Sequence, residues 1–128
     1  MSRIFITGGT SQGKSGYAMS FRAHGYHVVD DIYKTVREHV YKADDSICIT
    51  DADKMAAKIM SELEEDCKDH EKTVFVGTEA GCGIVPADKA GRLLREVNGR
   101  LNCMIAASSA KVILMTCGLP QIIKDDPL

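Results

Sequence analysis

Apolar residues change their spacing several times along the chain, and each change marks an element. Arg3 to Thr7 is a short β-prone run that stops at two glycines, and from Lys14 to about Ala23 the pattern suits a helix. The order is strand, Gly-rich loop, helix. Tyr26 to Asp30 holds His27-Val28-Val29, a second short strand ending in the acids Asp30 and Asp31, with a helix expected up to about Lys42. Ser46 to Thr50 reads as a third strand, with Asp51 as N-cap of the helix that follows. In that helix Met55, Ile59 and Leu63 recur every four residues, while Glu62, Glu64, Glu65, Asp66 and Asp69 collect on what is expected to be a solvated face.

Thr73 to Val76 is a fourth strand that runs into Gly77-Thr78-Glu79-Ala80-Gly81-Cys82-Gly83, a loop in the position where α/β domains bind ligands. Pro86 suits the start of a long helix whose Leu94, Val97, Leu101, Met104 and Ile105 step by three and four. Gly99 inside it costs about 1 kcal/mol relative to Ala, which suggests close packing or a functional reason. Lys111 to Thr116 is the last expected strand, ended by Gly118-Leu119-Pro120. Strands alternating with helices predict an α/β fold with a mainly parallel sheet of about five strands and helices on both faces.

Composition narrows the class. At 128 residues with 45% hydrophobic and 27% charged residues, residues 1–128 are expected to form a single domain around one core. Lys plus Arg is 16 against 18 Asp plus Glu, a net of −2, so neither a nucleic-acid backbone nor an anionic membrane is an expected partner. The stretch Met104 to Met115 is broken by Ser108, Ser109 and Lys111 and does not suit a membrane span. The N-terminal apolar run is too short for a signal-peptide core. Five cysteines, at 48, 67, 82, 103 and 117, contain no Cys-x-x-Cys pair, which argues against a disulfide framework or zinc ribbon and for a cytoplasmic setting.

The strongest chemical signal is Gly8-Gly9-Thr10-Ser11-Gln12-Gly13-Lys14-Ser15, which fits Gly, four residues, Gly, Lys, Ser/Thr. A loop of this length can wrap backbone N–H groups around a phosphate, and its glycines let the chain turn and approach closely. Lys14 is then expected to reach the β- and γ-phosphates of GTP or ATP, and the Ser15 hydroxyl to coordinate Mg²⁺. The fold class becomes P-loop NTPase-like. Phosphoryl transfer also calls for a carboxylate near the metal, and the candidates are Asp30, Asp31, Asp51, Asp53 and Glu79. Each has a plainer reading as a cap, a turn residue or a surface ion-pair partner. His24, His27, His39 and His70 form no metal-ligand pair at helical spacing.

Several stretches together carry a family resemblance: Ile6-Thr7-Gly8-Gly9 through Gly13-Lys14-Ser15, then Glu79-Ala80-Gly81-Cys82-Gly83-Ile84-Val85-Pro86, Gly99-Arg100-Leu101-Asn102, Ala106-Ala107, and Gly118-Leu119-Pro120 with Lys124. The chain resembles the bifunctional adenosylcobinamide kinase and adenosylcobinamide-phosphate guanylyltransferase family of cobalamin biosynthesis. That resemblance implies a nucleotide-binding α/β fold, often a homo-oligomer, that phosphorylates a corrinoid alcohol and then transfers GMP from GTP through a guanylyl-histidine. It implies His39, two residues after Arg37, as the nucleophile, with Thr50 and Asp53 as nucleotide-holding residues. The middle of the chain departs from the family: Tyr41-Lys42-Ala43 stands where an Arg-Pro is expected, and the family's next strand and helix have no counterpart.

The resulting expectation is a kinase or nucleotidyltransferase that uses GTP or ATP with Mg²⁺ on a cobinamide-type small molecule. Lys14 and the loop residues Gly8 to Ser15 bind phosphates, and His39 accepts GMP. The alternatives are a nucleotide-binding relative that has lost catalysis and acts as a regulatory or assembly partner, and a small P-loop metabolite kinase.

Overall fold

The computed structural model describes residues 2–42, 49–79 and 88–126. Strand β1, Ser2–Gly8, leads through the Gly-rich loop to helix α1, Lys14–Met19, which tightens into a 3₁₀ turn at Ser20–His24. Strand β2, His27–Val29, is followed by α2, Ile32–Lys42. A 3₁₀ turn at Ile49–Asp51 opens α3, Ala52–Cys67, and β3 is Lys72–Val76. Helix α4, Lys89–Ser108, then precedes β4, Lys111–Thr116, and β5, Leu119–Asp125.

The five strands form one sheet in the order β2-β3-β1-β4-β5, parallel except for the β4/β5 pair. Register sets Ile4 beside Val74 and Phe5 beside Phe75, so alternate residues of the central strands face opposite sides. Phe5, Phe75 and Val112 pack against the buried stripes of α2, α3 and α4. Ile4, Ile6, Val74, Val76, Ile113 and Met115 face the other way, toward Ala18 of α1 with Tyr17 and Phe21. Burial on both faces explains why β1 and β3 read as near-continuous apolar runs. The expected layered α/β architecture is therefore present, and the acidic residues of α3 lie on its exposed face.

Three expectations need correction. Ile49 and Thr50 are in a 3₁₀ turn feeding α3 rather than in a strand, because the helix start at Asp51 overrides their β propensity; residues 46–48 lie outside the described residues. Asp51 stands at the N-cap, yet with φ −91° and ψ 3° it lacks the extended backbone of a capping residue, and its side chain makes no capping hydrogen bond. Finally, Gly118 to Pro120 does not end the sheet. Cys117 and Gly118 have φ of 52° and 76°, the paired left-handed residues of a two-residue hairpin turn, and the chain returns as β5. That strand lies at the sheet edge with Leu119, Ile122 and Ile123 exposed, so it has no alternating pattern to betray it. Pro86 and residues 80–83 of the glycine loop lie outside the described residues.

Candidate functional site

Strand β1 delivers the chain to Gly8, where only glycine fits. Its φ is +148°, and a Cβ there would lie 2.5 Å from the carbonyl oxygen of Met115 on β4. The loop reverses through Ser11, φ 60°, and Gly13, φ 85°, and α1 begins at Lys14. Gln12 moors the loop to the β4–β5 turn: its backbone carbonyl accepts the Gly118 N–H at 3.1 Å, and its side-chain oxygen accepts the Cys117 N–H.

Lys14 is buried, 8% exposed. Its ammonium donates to the Gly8 carbonyl at 2.8 Å and to Thr78 Oγ1 at 2.8 Å. Burial lowers its pKa below the usual lysine value, while the negative charges of Asp31 and Asp30 pull it back up. The Ser15 hydroxyl donates to Asp30 Oδ1 at 3.0 Å, and the same oxygen accepts the Asp31 N–H at 2.8 Å. Asp31 takes the left-handed conformation, φ 52°, at the junction of β2 and α2.

The end of β3 lies along the loop. The Gly77 N–H donates to the Ile6 carbonyl at 2.9 Å and the Glu79 N–H to the Gly8 carbonyl at 2.8 Å. Between them the Thr78 carbonyl accepts the side-chain amides of Asn98, 2.8 Å, and Asn102, 3.1 Å, both buried on α4. Among the described residues, the carbonyl oxygens of these two amides, and Thr7 Oγ1, are buried with no hydrogen-bond partner. Such groups each cost about 1–3 kcal/mol, so the fold carries a polar load directly under the loop.

The arrangement brings the Gly8 carbonyl, the Thr78 hydroxyl and the charges of Asp31 and Asp30 to one amine, with the Glu79 backbone N–H on the same Gly8 carbonyl. It does not bring in His39 or Asp53. His39 lies seven residues into α2, about 10 Å along the axis from its first residue. Its Nδ1 faces the Thr35 carbonyl at 2.8 Å and its Nε2 the Glu62 carboxylate of α3 at 2.8 Å. Both ring nitrogens are thus engaged by oxygens of α2 and α3. Asp53, on the first turn of α3, binds Arg100 of α4 at 2.7 Å. Gly99 beside it is exposed, and a Cβ there would meet nothing within 4 Å, so packing does not require that glycine.

Thr78, Asn98 and Asn102 are the participants that the sequence reading passed over. The available signal was a pair of asparagines four residues apart on the apolar stripe of α4, where a buried amide needs a partner.

A partly buried cation beside a glycine-lined turn suits a polyanion. Ser15 and Asp30 are hard oxygen donors of the kind Mg²⁺ selects, and Mg²⁺ ordinarily takes only one or two protein oxygens together with phosphate oxygens and water. Among the described residues no cluster of three or more His, Cys, Asp or Glu could hold a metal ion without such a ligand. No helix among the described residues is long and apolar enough to cross a membrane.

The family model for cobinamide kinase / cobinamide phosphate guanyltransferase matches residues 20–123. The chain belongs to this family. Two curated relatives, the bifunctional adenosylcobalamin biosynthesis proteins CobU of Escherichia coli K12 and of Salmonella typhimurium LT2, are each 40% identical to it over 53 residues. That stretch is 41% of this chain and 29% of either relative, so the match spans under a third of their length. The family match begins after the Gly8 to Ser15 loop, whose reading rests on its own spacing and geometry.

Proposed function

We propose that this protein binds GTP or ATP with Mg²⁺ at the Gly8 to Ser15 loop and transfers a phosphoryl group, GMP, or both to a cobinamide-type alcohol or phosphate. The observation that carries the reading is the Lys14 ammonium, buried between the Gly8 carbonyl and Thr78 with the Ser15–Asp30 pair alongside. Family membership supports the chemistry and the acceptor class. In this reading Lys14 and the loop N–H groups hold the β- and γ-phosphates, Ser15 holds the metal with Asp30 and Asp31 behind it, and Glu79 lies at the rim. Mg²⁺ supplies charge neutralisation when bound. In the kinase step the acceptor hydroxyl attacks the γ-phosphorus, the bond to the bridging oxygen breaks, and nucleoside diphosphate leaves.

For GMP transfer, His39 attacks the α-phosphorus and pyrophosphate leaves, after which the acceptor phosphate displaces the imidazole. This requires His39 to leave Glu62 and approach the loop. Asp53 belongs to the same proposal as a nucleotide contact that exchanges Arg100 for the ligand. A homo-oligomer is supported by exposed Leu119, Ile122 and Ile123 on β5, and a cytoplasmic setting by the free thiols Cys67, Cys103 and Cys117.

A second reading, a nucleotide-binding relative without catalysis, is favoured by the His39–Glu62 and Asp53–Arg100 pairs, which engage both residues among α2, α3 and α4. Incubation with α-labelled GTP and Mg²⁺ separates the two. GMP transfer predicts an acid-labile, alkali-stable label on the protein that vanishes in His39→Ala. No label and no turnover of adenosylcobinamide, with nucleotide bound, selects the binding protein.

A further inference from the structure

Lys14 has three N–H bonds, and two of them are committed, to the Gly8 carbonyl and to Thr78 Oγ1. The third remains for a ligand. Because Thr78 Oγ1 accepts from Lys14, its own proton points elsewhere, and no described residue accepts it. With two arms of about 2.8 Å set at a tetrahedral angle on the Lys14 nitrogen, an oxygen on the third N–H lies about 4.5 Å from Thr78 Oγ1. One phosphoryl group spans that gap, placing one oxygen on lysine and a neighbouring oxygen on the threonine hydroxyl.

The hydroxyl is also held still. Thr78 follows β3 directly, its carbonyl is gripped by the amides of Asn98 and Asn102, and its neighbours Gly77 and Glu79 donate to Ile6 and Gly8 of β1. Four bonds around one residue fix its backbone more tightly than simple closure of a surface loop demands. A donor fixed before the ligand arrives binds without the cost of ordering it.

We propose that Thr78 is a direct ligand of the terminal phosphoryl group, donating its hydroxyl proton to an oxygen of the phosphate that Lys14 binds. This rests on the nucleotide-binding reading of the loop and adds to it a contact from the end of the neighbouring strand, β3. Lysine supplies charge, and threonine supplies direction. A terminal phosphate is thereby distinguished from a shorter nucleotide that does not reach β3.

The test is calorimetric titration of GTP, ATP and GMP, with Mg²⁺, into the parent chain, Thr78→Val, Thr78→Ser and Lys14→Ala. Valine keeps the shape and removes the hydroxyl, whereas serine restores it. The expected result is about a tenfold loss of triphosphate affinity in Thr78→Val, unchanged GMP affinity, and recovery in Thr78→Ser. Unchanged or tighter triphosphate binding in Thr78→Val overturns the proposal. So does an equal loss for GTP and GMP that serine fails to rescue, which is the signature of a merely structural side chain. If Lys14→Ala loses triphosphate binding while Thr78→Val keeps it, the Thr78 contact fails and the phosphate loop stands. If the parent binds neither GTP nor ATP, the loop reading fails and the Thr78 contact falls with it.

Discussion

Ser15 Oγ donates to Asp30 Oδ1 at 3.0 Å, tying the start of α1 to the end of β2. The pair sets a hydroxyl and a carboxylate near the Lys14 amine, and under the proposed function these would be the protein oxygens that hold Mg²⁺. Asp30→Asn keeps an acceptor for Ser15 and for the Asp31 N–H while removing the charge. Its expected effect is a roughly tenfold smaller gain in GTP affinity when Mg²⁺ is added, with metal-free affinity unchanged or slightly improved. Titrations with Mg²⁺ and with a chelator measure both; an undiminished Mg²⁺ gain counts against this metal site.

Lys14 makes the pH dependence of binding predictable. Burial lowers its pKa, so the free protein loses this charge at a lower pH than an ordinary lysine at ~10.4 does. A bound polyphosphate favours the charged form, so binding takes up a proton in the alkaline range and GTP affinity falls as pH rises through the free-state pKa. The sign is opposite for folding: between the lowered folded pKa and the unfolded value the unfolded chain binds more protons, so Lys14 contributes stability that increases with pH. Titrations in buffers of different ionisation heat, from neutral to about pH 10, report the proton uptake, which Lys14→Ala removes.

Two glycines call for opposite outcomes. Gly8→Ala forces a side chain into positive φ and against the Met115 carbonyl, and is expected to cost at least ~2 kcal/mol and to abolish GTP binding. Gly99→Ala, on an exposed helical face with open space, is expected to stabilise by about 0.5–1 kcal/mol. Thermal melts of both variants check the pair.

Gly77 tests the mooring of Thr78. A Cβ there meets the Phe5 ring at 2.8 Å and Asn102 Oδ1 at 3.2 Å, so Gly77→Ala is expected to destabilise by ~1–3 kcal/mol through overpacking. Because Asn102 is one of the two amides that hold Thr78, triphosphate affinity is expected to fall with it. A variant that melts earlier but binds GTP as the parent does would separate the amide from the site.

Legibility in the sequence followed local rules. The strand, turn and helix around Lys14 and Ser15 were readable because the glycine spacing marks the turn, and β1, β3 and β4 because their apolar runs are buried on both faces. Strand β5 was hidden: Leu119-Pro120-Gln121-Ile122-Ile123 lacks alternation, and its existence depends on a left-handed Cys117 that propensity does not anticipate. Thr78 was hidden for a different reason. Its role arises from Lys14, 64 residues away in sequence, and from amides on α4, and no local pattern encodes a meeting of three elements. His39 came from resemblance alone and Asp53 from both the search for a carboxylate near the metal and the resemblance, and the structure engages both with residues of neighbouring helices.

The bonds from the β4–β5 turn to Gln12 join residues 105 apart in sequence. On the ribosome the glycine loop is made about a hundred residues before the turn that braces it. A domain whose contacts are this non-local assembles late. The phosphate loop therefore lacks its brace until Gly118 has emerged, and tight nucleotide capture is expected to follow synthesis of nearly all the described residues. GTP would then act as a check on the finished fold and not as a template for the nascent one.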